Sequence, residues 1–197
     1  MPDLNAILNA TDDNASLPLR EVRLGKEPAL VLLFTSDVDE VKLHFEEDET
    51  VRSYVPCPGD RCPRCFLGSA PGEFYLLPVV NIDSGDVEVL RISAGRGPGA
   101  LLSLLRPHLQ APEPSQNVLS ISRNGSRYRI ESSKISEHAD RGTRAIESFL
   151  AERAEGLQLV SVFPALTAAE MSELPRTARK LEAVGGYRST GVARDGR

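Results

Sequence analysis

Three cysteines, Cys57, Cys62 and Cys65, lie within nine residues, and the chain has no others. Cys62-Pro63-Arg64-Cys65 is a C-x-x-C, whose short turn aims two thiolates at one ion, and Cys57 adds a third sulfur across a Pro58-Gly59 turn. Three sulfurs leave one tetrahedral position, and an imidazole nitrogen suits it. His44 is the nearest histidine and gives the spacing H-x12-C-x4-C-x2-C, while His108 and His138 compete for the same place. A Cys3His set is closed and has no position for a reacting water, so the expected cofactor is one structural Zn2+ rather than a hydrolytic centre. An odd, clustered cysteine set makes no disulfide framework. A redox C-x-x-C would open a helix in a βαβ pattern, whereas this one lies in a Pro-rich loop.

The second chemistry available is that of arginine and tyrosine. Single-strand binding needs cations that track phosphates and ring faces that accept bases. The candidate cations are Arg52, Arg64, Arg91, Arg96, Arg123, Arg127, Arg129 and Lys134, with Arg61 beside them in the cysteine loop. The candidate rings are Tyr54 and Tyr128, which have polar neighbours, followed by Phe66, Phe74 and Tyr75. With six Phe, four Tyr and no Trp, at least half of the rings are expected inside the core. Gly95-Arg96-Gly97-Pro98-Gly99 lacks the Lys-Ser/Thr of a phosphate loop and reads as a plain loop. No Ser/His/Asp set or carboxylate pair has a spacing that implies catalysis, so the chain reads as a non-enzyme.

The elements that must position these residues are mostly strands. Residues 29–34 form a short apolar run, and Val41, Leu43 and Phe45 alternate with Lys42 and His44 as in a half-buried strand. Further strands are expected over 51–55, 74–82 and 87–92, with a turn at 83–86. A strand pair, 118–122 and 127–131, flanks Asn124-Gly125. Leu101, Leu104, Leu105 and Leu109 share one face of a short helix. After Lys134 the pattern turns helical, over 143–153 and from the capping box Thr167-x-x-Glu170 to an interruption at Pro175.

Five or six strands with one mid-domain helix fit a mainly β fold: an OB-fold-like Greek-key barrel with a zinc-binding loop subdomain and a C-terminal helical segment. Its expected parts are an acidic flexible arm over 1–27, a core over 28–135 with the zinc subdomain at about 44–72, and a helical extension with a basic tail over 136–197.

Charge is unevenly placed along the 197 residues. Residues 1–50 carry 12 acids and 4 bases, and the remainder 16 acids and 19 bases. An acidic beginning and a basic middle suit a surface that meets an anion. No run of apolar residues is long enough to cross a membrane, and the N-terminus does not read as a signal peptide. A cytoplasmic protein with no membrane partner is the expectation.

The spacing H-x12-C…C-x-x-C followed by a strand hairpin resembles the helix-destabilising single-stranded-DNA-binding proteins of T-even-type phages. The resemblance covers roughly residues 28–135: Tyr75 to Asn81, Gly85 to Ile92, Ala100 to Leu109 and Val118 to Lys134 follow the family's order of elements. It implies a zinc-containing OB-fold that coats single-stranded DNA in replication, recombination or repair, in a bacterial or phage-infected cell, with replication or recombination proteins as further partners. The middle cysteine gap is shorter than the family's. The arm is acidic where the family's is basic, and the tail is basic where the family's is acidic, so cooperativity and partner recruitment do not carry over. The competing expectation is a zinc-stabilised protein-interaction module without nucleic-acid binding.

Overall fold

A computed structural model describes residues 19–34, 38–48, 50–95, 97–111, 116–138 and 156–187. Arg96, the segment 139–155 with its expected helix, most of the acidic arm and the last residues of the basic tail lie outside them.

The strands are β1 (Arg20–Glu21), β2 (Ala29–Leu33), β3 (Asp39–Glu47), β4 (Arg52–Pro56), β5 (Gly72–Asn81), β6 (Val87–Ser93), β7 (Asn117–Asn124) and β8 (Arg127–Lys134). The helices are α1 (Pro63–Phe66), α2 (Leu101–Leu109), α3 (Ala168–Glu173) and α4 (Pro175–Val184). All eight strands join one sheet in the order β1-β6-β5-β2-β7-β8, with β3 also on β5 and β4 on β3. Among the described residues only β1 with β6 is parallel. The sheet is strongly curled into a half-barrel. Among the described residues its end strands, β1 and β8, do not pair with each other.

The curl has a local cause in β5, the longest strand. Residues 72–76 pair with β3, whereas residues 79–81 pair with β2. Pro78, which has no backbone donor to contribute, falls between the two stretches, where a ladder bond is least missed. Strands β2, β5 and β6 are apolar on both faces because both faces are covered. Val31, Leu33, Leu77, Val79, Leu90 and Ile92 meet Leu101 and Leu105 of α2. On the other face, Leu43, Leu76 and Val89 meet Leu159 and Phe163.

Three sequence expectations change here. Residues 20–24 are not part of a free arm: Arg20–Glu21 pairs with Glu88 and Val89, and Val22 is buried in the core. A two-residue strand has no periodicity to read, so only its tertiary partner defines it. The C-terminal segment is likewise integral, since Leu159 and Phe163 from a 3-10 turn and its flank pack on Leu43, Leu76 and Val89 of the sheet. The β7–β8 turn also shifts by one residue. Asn124 still pairs with Arg127, and the turn itself is Gly125-Ser126, where φ is +62° at Gly125.

Candidate metal centre and cleft

The β3–β4 hairpin sets out two sites, one on each face. In β3 the two-residue period puts His44 and Glu46 on one face and Leu43 and Phe45 on the other. Across the ladder His44 opposes Val55 and Phe45 opposes Tyr54. One face therefore carries His44 and Val55, and the opposite face carries Phe45 and Tyr54.

On the first face the cysteine loop folds over His44. Gly59, at φ +81°, makes the turn that follows Cys57, and Cys62 N–H bonds back to the Gly59 carbonyl at 2.9 Å. Cys62 then caps α1, with Pro63 at its first position, where a missing N–H costs nothing. The ligand atoms of His44, Cys57, Cys62 and Cys65 all lie within 4.8 Å of one another. His44 Nε2 is 3.2 Å from Cys62 Sγ and 3.5 Å from Cys65 Sγ, and Cys57 Sγ is 3.7 Å from Cys65 Sγ.

These distances can be tested against a metal. Zn–S bonds of about 2.3 Å and Zn–N bonds of about 2.0 Å at tetrahedral angles imply ligand edges of roughly 3.8 Å for S–S and 3.5 Å for S–N. These three separations fall within a few tenths of an ångström of those edges, and the four atoms together lie close enough to surround one small cation. The protonation chemistry agrees. Burial, aided by Arg64, lowers the His44 pKa and keeps the ring neutral, the form that ligates. Burial pushes the Cys62 thiol up to about 12, so a thiolate there calls for a cation beside it. His108 lies on α2 and His138 bonds Ser133 Oγ at 3.1 Å, both away from the cysteines. The site is a possible metal centre of the kind that holds zinc.

Two supports of this centre are absent from the sequence reading. Glu46, only 2% exposed, faces Arg64 Nε at 3.3 Å. The pair is a close charge contact without the alignment of a hydrogen bond. It ties the loop between Cys62 and Cys65 to β3. Helices α3 and α4 form the second support. Met171 is fully buried against Val55 and Cys62, and the Tyr187 hydroxyl donates to the Arg61 carbonyl at 2.8 Å while its ring packs on Phe66. Asp48 accepts the Arg176 N–H at 2.8 Å at the start of α4.

On the opposite face of the hairpin, Tyr54 borders a cleft of about 1150 Å³. Tyr54, Phe74, Arg91, Arg123 and Tyr128 line it, together with Arg20 and Arg23. Tyr54 packs edge-on to Phe74 at 5.2 Å between centroids and tilted to Phe45 at 5.1 Å. Arg91 stacks over the Tyr54 ring at 3.8 Å, and Arg123 lies 5.4 Å from the centre of Tyr128.

Thus Tyr54, Phe74, Arg91, Arg123 and Tyr128, chosen from the sequence, converge on one cleft. The other described candidates do not line it. Arg52 pairs with Glu47 at 3.5 Å, Arg129 with Glu131 at 2.6 Å, and Arg64 with buried Glu46. Arg127 and Lys134 are exposed at the two ends of β8. Tyr75 packs on the core and Phe66 on Tyr187. Arg20 and Arg23 were missed because the acidic first segment masks them in any local charge count. Among the described residues no helix is long and apolar enough to cross a membrane. Comparison with protein-family models, with curated proteins and with solved structures gave no match.

Proposed function

We propose that this chain is a single-stranded DNA-binding protein built on an OB-like barrel, with one structural zinc, acting in replication, recombination or repair. The observation that carries the reading is the cleft, whose lining brings two tyrosine rings together with guanidinium groups, Arg91 stacked on Tyr54 and Arg123 near Tyr128. Rings accept any base face, and guanidinium groups neutralise phosphates without regard to sequence. The metal acts at one remove. Held by His44, Cys57, Cys62 and Cys65, zinc would fix the loop against one face of the β3–β4 hairpin, and that hairpin presents Tyr54 on its other face. Binding and metal loading are then coupled through the backbone of the β3–β4 hairpin rather than through contact with the ion. The curled, mainly β sheet and the Cys3His set are also what the resemblance to the phage helix-destabilising family leads one to expect.

The half-exposed Phe45 and Phe66, 45% and 47% exposed, favour a second reading as a zinc-stabilised protein-interaction module. A fluorescence titration with a single-stranded oligonucleotide and its duplex, at several salt concentrations, separates the two. Preference for the single strand, weakening steeply with salt, supports the first. No binding at low salt, or equal affinity for both forms, defeats it.

A further inference from the structure

Arg91 is held from two sides. Its Nε donates to Glu21 Oε1 at 2.8 Å, and its guanidinium lies 3.8 Å above Tyr54 and 5.1 Å from Phe74. Glu21 reaches this place because β1 runs parallel to β6, with Glu21 opposite Val89, two residues before Arg91. The side chains of Arg91 and Glu21 are only 20% and 34% exposed, so water screens the pair incompletely. Another arginine of the cleft, Arg123, is treated differently. Arg123 Nε donates to a neutral acceptor, the Gly125 carbonyl, at 2.8 Å. One guanidinium of the cleft is thus neutralised by a carboxylate that belongs to the cleft wall, and that same guanidinium roofs the ring on which a base would stack.

We propose that Glu21 gates the cleft: it competes with nucleic-acid phosphate for Arg91 and holds Arg91 over Tyr54 until a strand displaces it. The gate rests on the single-strand reading above. A phosphate entering beside Arg91 takes over the charge partner, Arg91 swings off the ring, and the uncovered Tyr54 face receives the neighbouring base. Glu21 is a positioning residue here, since it acts only through Arg91. Its carboxylate lowers affinity twice, by repelling phosphate and by occupying the cation, so the wild-type protein binds more weakly than its arginines alone would allow.

The test measures single-strand affinity of the full chain by fluorescence anisotropy from about 50 to 300 mM salt, for the wild type, Glu21→Gln and Glu21→Asp, each with and without Arg91→Ala. Glu21→Gln keeps a hydrogen-bond acceptor and removes the charge. It should bind roughly threefold to fivefold tighter at low salt, as expected for a partly exposed charge pair. The slope of log K against log salt should steepen by about 0.7, one more phosphate neutralised on a single strand. Glu21→Asp, which keeps the charge, should restore the wild-type slope, and Arg91→Ala should abolish the gain. Binding by the wild type with no gain in Glu21→Gln, or a lower melting temperature at unchanged slope, overturns the gate and leaves the single-strand reading standing. Failure of the wild type to bind any single strand at low salt overturns both.

Discussion

Replacing Met171 by alanine should loosen the metal loop from a distance. Met171 is fully buried, and its neighbours in the core are Val55, which opposes His44, and Cys62, a candidate ligand. Truncating a buried Met costs about 2–5 kcal/mol, from lost transfer energy and the cavity left behind. Against a total stability of roughly 5–15 kcal/mol this is a large fraction. For a chain of this length it corresponds to a fall in melting temperature of about 5–15 °C. The loss should appear first as easier metal release, because the cavity opens directly behind Cys62. Melting curves with and without chelator, read beside the metal content after gentle dialysis, measure both effects. A drop below about 1 kcal/mol, or a melting loss with metal retention unchanged, would refute the idea that α3 braces the loop.

The remaining expectations follow from the same geometry. Elemental analysis should find about one zinc per chain, and His44→Ala should lower metal retention; an unchanged content would move the fourth ligand elsewhere. Tyr54→Ala or Tyr128→Ala should each cost about 1–3 kcal/mol of single-strand affinity at nearly constant salt slope, whereas Arg123→Ala should flatten the slope more than Arg127→Ala with Arg129→Ala, read from the same titrations. A chain ending at residue 138 should be insoluble or poorly folded, because it loses Leu159, Phe163 and Met171 from the core; a well-dispersed spectrum of that fragment would count against the packing described. The Glu170 carboxylate, held below its ordinary range by the Thr167 N–H and hydroxyl, supports the start of α3 above the unfolded carboxylate pKa and loses that support as pH falls through the lower folded value. An NMR titration of Glu170 with an ordinary midpoint would contradict the capping box.

Much of the candidate metal centre was legible in the sequence, because a C-x-x-C, a third cysteine and a histidine on a strand carry their geometry in their spacing. The central strands were legible for a similar reason, being buried on both faces and therefore apolar throughout. The capping box at Thr167 depends on two residues in one turn, and it appears as expected. What escaped was everything whose cause is long-range. Strand β1 exists because β6 offers an edge, and two residues cannot announce a period. Glu46 reads as one acid in an acidic run, yet it is buried against Arg64. Leu159 and Phe163 sit in an irregular segment, so neither helical nor strand periodicity marks them as core. Arg52, Arg64 and Arg129 look alike as free cations in sequence, and only the fold reveals a carboxylate beside each.

The central claim is that a metal on one face of the β3–β4 hairpin keeps a single-strand cleft in working order on the other. One anisotropy titration tests it directly, using a single-stranded oligonucleotide at low salt with the metal-loaded protein and with the same sample after chelation. The account predicts salt-sensitive binding by the loaded protein, markedly weakened on chelation and regained when zinc is returned. No binding by the loaded protein, or equal affinity before and after chelation, would contradict it.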